Sequence, residues 1–207
     1  MNHLCVLGGE MKNSTLIILV FSVVIIIFAL TSFNIYTENV EMGRQVKAVS
    51  VETEKAMTDN FELAQIVKDI KFDVVQVQQW LTDISATRGM DGLDDGKTEA
   101  AEYAARFKVD VAQARAIANR LGLQNVIQSL DDMEKSFPPY YQTGLKMADA
   151  YIEFGAEGGN KMMASFDAVA EDMSNSVDKM TEVVGAATNQ TREDVLGKVK
   201  QTDNMVD

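Results

Sequence analysis

Apolar positions along the 207-residue chain begin as one solid block and continue as periodic stripes. The block, Thr15 to Phe33, reads TLIILVFSVVIIIFALTSF and carries no charge. At about 1.5 Å per residue a helix of this length spans close to 30 Å, the thickness of bilayer hydrocarbon. It exceeds the apolar core of a secretory signal, about 7–15 residues. No small-x-small cleavage site follows, since Ala29 leads into Leu30, Thr31 and Ser32. The pattern therefore predicts an uncleaved signal anchor, a transmembrane helix over 15–33. Lys12 precedes it and Glu38 and Glu41 follow, which places 1–14 in the cytoplasm and 34–207 on the far side. No second apolar run appears, so the expectation is a single crossing.

Beyond the block the spacing becomes helical. Leu63, Ile66, Ile70, Val74, Val77, Leu81 and Ile84 recur every three or four residues, one buried stripe of a helix over 34–88. Glycines at 89, 92 and 96 interrupt it. Ala104, Phe107, Val111, Ala114, Ala118 and Leu121 mark a second helix over 97–136, with an interruption or kink at Gly122. Ser136-Phe137-Pro138-Pro139 reads as a turn and a new start, because proline suits a first turn. A third helix over 138–154 and a fourth over 160–205 follow, separated by Gly155-Ala156-Glu157-Gly158-Gly159. The expectation is an all-α chain: an up-and-down four-helix bundle with long outer helices, preceded by one transmembrane helix. The outer helices would run about 80 Å and about 72 Å, leaving a two-helix stalk whose apolar seam invites a second copy.

Composition narrows the chemistry. Nineteen basic against 31 acidic residues give −12, and all of these except Lys12 and Glu10 lie beyond residue 33. That charge repels nucleic acid and anionic lipid surfaces. One cysteine allows no internal disulfide, and one histidine, His3, builds neither a His-rich metal site nor a Ser-His-Asp triad. No glycine-rich phosphate loop or nucleophile–base pair is legible, so no catalytic residue, metal or cofactor is expected. Cys5 lacks the apolar stretch that should precede a lipoprotein cysteine. The segment Met1–Glu10 looks unlike the start of an anchor, whereas Met11-Lys12-Asn13-Ser14 looks natural.

Asp91, Asp95, Gly96, Glu99 and Glu102 match positions 1, 5, 6, 9 and 12 of an EF-hand loop. Leu93 at position 3 offers no oxygen, and the segment reads as an acidic turn with Asp95 or Thr98 capping the second helix. Off the main stripe of the first helix lie Gln76, Gln79, Trp80, Asp83, Thr87 and Arg88. Amides, a hydroxyl and a guanidinium beside an indole could hold a small polar or carboxylated ligand, Arg88 with two bonds to one carboxylate. The same residues could instead line a polar dimer seam or face solvent. Tyr140 and Tyr141, with Phe137 and Tyr151, form an aromatic cluster suited to core packing or to ligand contact. The methionines at 147, 162, 163, 173 and 180 read as core filler.

The stretch DVVQVQQWLTDISATRG at 73–89 resembles the first ectodomain helix of bacterial methyl-accepting chemotaxis proteins. DGLDDG at 91–96, the alanine-rich helix with Phe107, FPPYYQTGLKMADAYI at 137–152, and Gly158-Gly159-Asn160 followed by Met163 and Phe166 look like the same group. The resemblance spans roughly 34–207 and is densest between 70 and 173. It implies a periplasmic ligand-sensing module in a bacterial inner membrane, working as a homodimer. The second span, HAMP linker and cytoplasmic signalling hairpin of such receptors are not in the sequence. Similar ectodomains serve histidine kinases and diguanylate cyclases, and a membrane-anchored adaptor bundle that binds a protein partner is the alternative from another class.

Overall fold

The computed structural model describes residues 3–90 and 92–206, with side chains over 15–90 and 92–201. Asp91, the first position of the EF-hand match, and the side chains of His3, Cys5 and Lys12 lie outside the described residues. The described residues form three helices and no strand: α1 (His3–Thr87), α2 (Gly96–Leu121) and α3 (Gln124–Val206). The chain is all-α, as the periodicity predicts. It divides into two compact units, 1–52 and 53–207.

In the first unit α1 holds an 18-residue window of mean hydropathy 3.0 with none of it buried. The large apolar side chains from Leu16 to Phe33 stand more than half exposed. A helix this apolar and this long is able to cross a membrane, where hydrocarbon replaces the missing protein cover.

The second unit is built on the stripes. Leu63, Ile70, Val77 and Leu81 of α1 are fully buried, as are Ala100, Ala114 and Ala118 of α2. From α3 come Leu130, Met133, Tyr140, Met147, Phe166, Met173 and Met180, all without exposure. Small residues set how closely the helices approach. A Cβ on Gly96 would lie 2.9 Å from Ile84 Cγ1 and 3.0 Å from the Trp80 carbonyl oxygen, so α2 starts hard against the end of α1. Asp95 occupies the N-cap position in an αR conformation and its side chain makes no capping bond. The expected aspartate cap is absent because that backbone geometry does not turn the carboxylate onto the helix N–H groups.

The expected turn at Pro138-Pro139 is corrected: both prolines sit inside α3. Proline there removes the N–H groups that would bond the carbonyls of Glu134 and Lys135. Those four residues are all exposed, so water can take the freed carbonyls. The chain turns at Gly122 instead, and the expected helices over 97–136 and 138–154 give way to α2 and the start of α3. Gly122 is left-handed (φ 69°, ψ 25°), with its N–H on Asn119 O at 3.2 Å and Leu123 N–H on Ala118 O at 2.9 Å. This is a Schellman closure.

The reversal within α3 needs one residue where a five-residue breaker was expected. Gly155 alone leaves helical geometry (φ 63°, ψ −156°), a region open essentially to glycine. Side chains on either side of it meet in descending register. Tyr151 bonds Asn160 at 2.7 Å, the Tyr140 ring lies 5.7 Å from Phe166, Ser136 is 3.1 Å from Ser176, and Lys179 bonds Asp132 at 2.8 Å. The two arms of α3 therefore run antiparallel.

Candidate functional site

The ligand candidates of α1 spread along one helix side from Gln76 to Arg88. Gln76 Nε2 donates to Gln79 Oε1 at 3.1 Å, so these amides partly satisfy each other. Gln79 and Asp83 are exposed, and Thr87 is half-buried, with its hydroxyl 3.5 Å from the Gly89 N–H. Trp80 is half-buried, and its indole Nε1 is enclosed without a hydrogen-bond partner. Arg88 is exposed and left-handed (φ 51°), a conformation that costs a non-glycine residue about 1 kcal/mol. Its Nη1 lies 3.4 Å from where a Cβ on Gly155 would stand. The Arg88 side chain thus reaches from the end of α1 to the reversal of α3.

The tyrosines sit elsewhere. Tyr140 is fully buried and its hydroxyl donates to the Val74 carbonyl at 2.8 Å, with burial pushing its ionisation far up. Tyr141 is half-buried, stacked on Phe137 at 5.9 Å, and burial raises its hydroxyl as well. Tyr140 is thus enclosed, and neither groove described below is lined by Tyr141 or by the α1 set.

Two open grooves are lined by other residues. One, of about 640 Å³, is lined by the α2–α3 turn (Leu121, Leu123, Val126) and the far arm of α3 (Val183, Ala187, Thr191). Beside it Asn60, 3% exposed, donates to Thr191 Oγ1 at 3.1 Å and leaves its own Oδ1 unpartnered. The other, of about 500 Å³, lies against Phe154, Gly158 and Met162, with Glu157 and Lys161 paired at 3.4 Å on its edge. No group of three or more acidic, histidine or cysteine side chains among the described residues is arranged to hold a metal ion.

Two charged contacts went unread in the sequence. Arg120 of α2 donates to Asp59 at 2.9 Å, and that hydrogen bond holds the Asp59 carboxyl below its ordinary range. Asp73 is 3% exposed with Oδ2 unpartnered, facing Asp110 of α2. Burial first, and the neighbouring Asp110 charge second, push Asp73 up to about 7. Asp110 is raised too, by burial and then by Asp69. The signal was available: Asn60 and Asp73 both fall three residues from apolar stripe positions, Leu63 and Ile70, and so point into the helix contact.

No family model, curated protein or solved structure matches the chain.

Proposed function

We propose that residues 53–207 form an up-and-down four-helix bundle of α1, α2 and the two arms of α3, serving as the ligand-sensing module of a membrane-anchored, chemoreceptor-like transducer. On this reading 15–33 anchors the chain once in a bacterial inner membrane, the bundle lies in the periplasm, and the protein works as a homodimer. The observation that carries the reading is α1: one helix supplies both the apolar stretch 15–33 and the buried stripe 63–84. A ligand that favours one seating of α1 against α2 and α3 acts on the same helix that holds the apolar stretch. Arg88, at the junction of α1 with the α3 reversal, is the residue best placed to report an anionic ligand.

A thermal-shift screen of residues 34–207 with amino acids and organic acids tests this, since a ligand that binds only the folded state raises Tm. The expected result is a hit whose shift is lost in Arg88→Ala. Silence across a broad library favours the adaptor reading, which the exposed Ile152 and Phe154 beside the α3 reversal also support. A periplasm-dependent reporter fused after Asp207 should be active, and activity of a cytoplasmic reporter there defeats the topology.

A further inference from the structure

Asp73 is the most deeply buried carboxyl of the described residues, set on the core side of α1 between Ile70 and Val77. Its Oδ2 is sealed from solvent and has no partner. Across the contact α2 presents Asp110, half-buried, and Arg106 one turn earlier; α1 itself adds Asp69. Arg106 attracts both carboxyls, yet its guanidinium lies over the Tyr103 ring, 4.6 Å from the centroid, and makes no ion pair among the described residues. From α3, this stretch of α1 meets the Tyr140 hydroxyl, spent on the Val74 carbonyl, and Asp178, paired with Lys71 at 3.0 Å. No cation is thus seated on Asp73.

Two facing carboxylates in a dry helix contact repel each other, and each loses its hydration. One shared proton removes both penalties: Asp73 keeps the proton and donates it to Asp110, whose charge stays nearer solvent. We propose that Asp73 and Asp110 form a proton-held clasp between α1 and α2, closed while the proton is shared and loosened when it leaves to solvent, so that the seating of α1 answers to external pH. A proton is then an input to the helix that also carries the apolar stretch. The clasp does not depend on the sensor reading, because an adaptor bundle with this contact would respond in the same way. The pH range follows from burial: a carboxyl raised to about 7 exchanges its proton near neutrality, where an exposed aspartate is long since ionised.

Trp80, the sole tryptophan, reports on the contact. It lies two turns along α1 from Asp73, and its carbonyl meets the start of α2 at Gly96. The test is a fluorescence titration of the full chain in lipid nanodiscs, from about pH 5 to about pH 9, beside carbon NMR of the aspartate carboxyls. The expected wild-type transition has its midpoint near 7, and Asp73→Asn, a neutral mimic of the protonated acid, abolishes it. Asp110→Asn, which removes the like charge and the acceptor, should lower the midpoint by about one unit or more. Identical profiles for wild type and Asp73→Asn would overturn the proposal, as would an Asp73 carboxyl titrating in the ordinary aspartate range. If Asp73→Asn does not fold, an unchanged midpoint in Asp110→Asn overturns it alone.

Discussion

The Tyr140 hydroxyl of α3 donates to the Val74 carbonyl of α1 at 2.8 Å, inside the core. That carbonyl sits mid-helix and already takes an i+4 N–H, so the tyrosine uses its second lone pair. The bond sets the register of α3 against α1 and gives a buried hydroxyl its partner. Tyr140→Phe keeps the ring stacked on Phe166 and removes only this bond, for an expected loss of about 1 kcal/mol. Urea unfolding of residues 34–207 measures it. An unchanged midpoint would show that the bond adds nothing.

Gly159 and Gly185 should answer alanine in opposite ways. A Cβ on Gly159 would fall 2.2 Å from Tyr151 Cγ, and that ring is held by its hydroxyl bond to Asn160. Overpacking of this kind costs about 1–3 kcal/mol and outweighs the helix preference for alanine. Around Gly185 nothing lies within 4 Å, so alanine there gains up to about 1 kcal/mol. Melting temperatures should rank Gly185→Ala above wild type and Gly159→Ala below it. The reverse order would refute the packing.

Asp59 and Asp73 act on stability with opposite signs. The Arg120 hydrogen bond lowers the folded pKa of Asp59 below 3.8, so its contribution is present above that value. It is lost as pH falls through the folded pKa. Asp73 binds its proton more tightly when folded, so its environment opposes folding progressively between 3.8 and about 7. Asp59→Asn should lower stability by a constant amount across the neutral range and flatten the acid limb below about pH 4. Asp73→Asn should flatten the neutral range, with a net gain at pH 8. Guanidinium unfolding across pH reads both, and an unchanged acid limb in Asp59→Asn, or a changed pH slope in its neutral range, contradicts the assignment.

Self-association should strengthen with salt. Phe61, Phe72 and Val75 stand 72%, 53% and 49% exposed and share one face of α1 at spacings of 11 and 3. Val40, Met57 and Val199 of the expected stalk are also exposed; Val46, Val49 and Val195 are half-covered, and Val184 is buried. The −12 charge beyond residue 33 opposes pairing until the screening length falls from about 10 Å at 0.1 M salt to about 3 Å at 1 M. Sedimentation of residues 34–207 should show a weak dimer that tightens at high salt, and Phe61→Glu should abolish it. A strict monomer at high protein and high salt removes this region from dimerisation.

Periodicity and the uncharged block determined much by themselves. The apolar stretch 15–33, the all-α class and the stripes from Leu63 to Ile84 and from Ala104 to Ala118 follow from local spacing, because burial of one helix side is written at every third or fourth residue. The groove at the α2–α3 turn and the clasp were not legible, since each joins residues far apart in the sequence. The reversals were decided in three dimensions. Pro138 and Pro139 are accommodated within α3 on a face where the freed carbonyls can meet water, and exposure of that face is a tertiary property. Gly122 and Gly155 became turns because at each a glycine with positive φ lets the chain leave helical geometry and the following segment fold back onto the core. For the same reason Asp73 reads as one more polar residue in the sequence. Only the seating of α2 against α1 sets it beside Asp110, away from water, and gives its proton something to do.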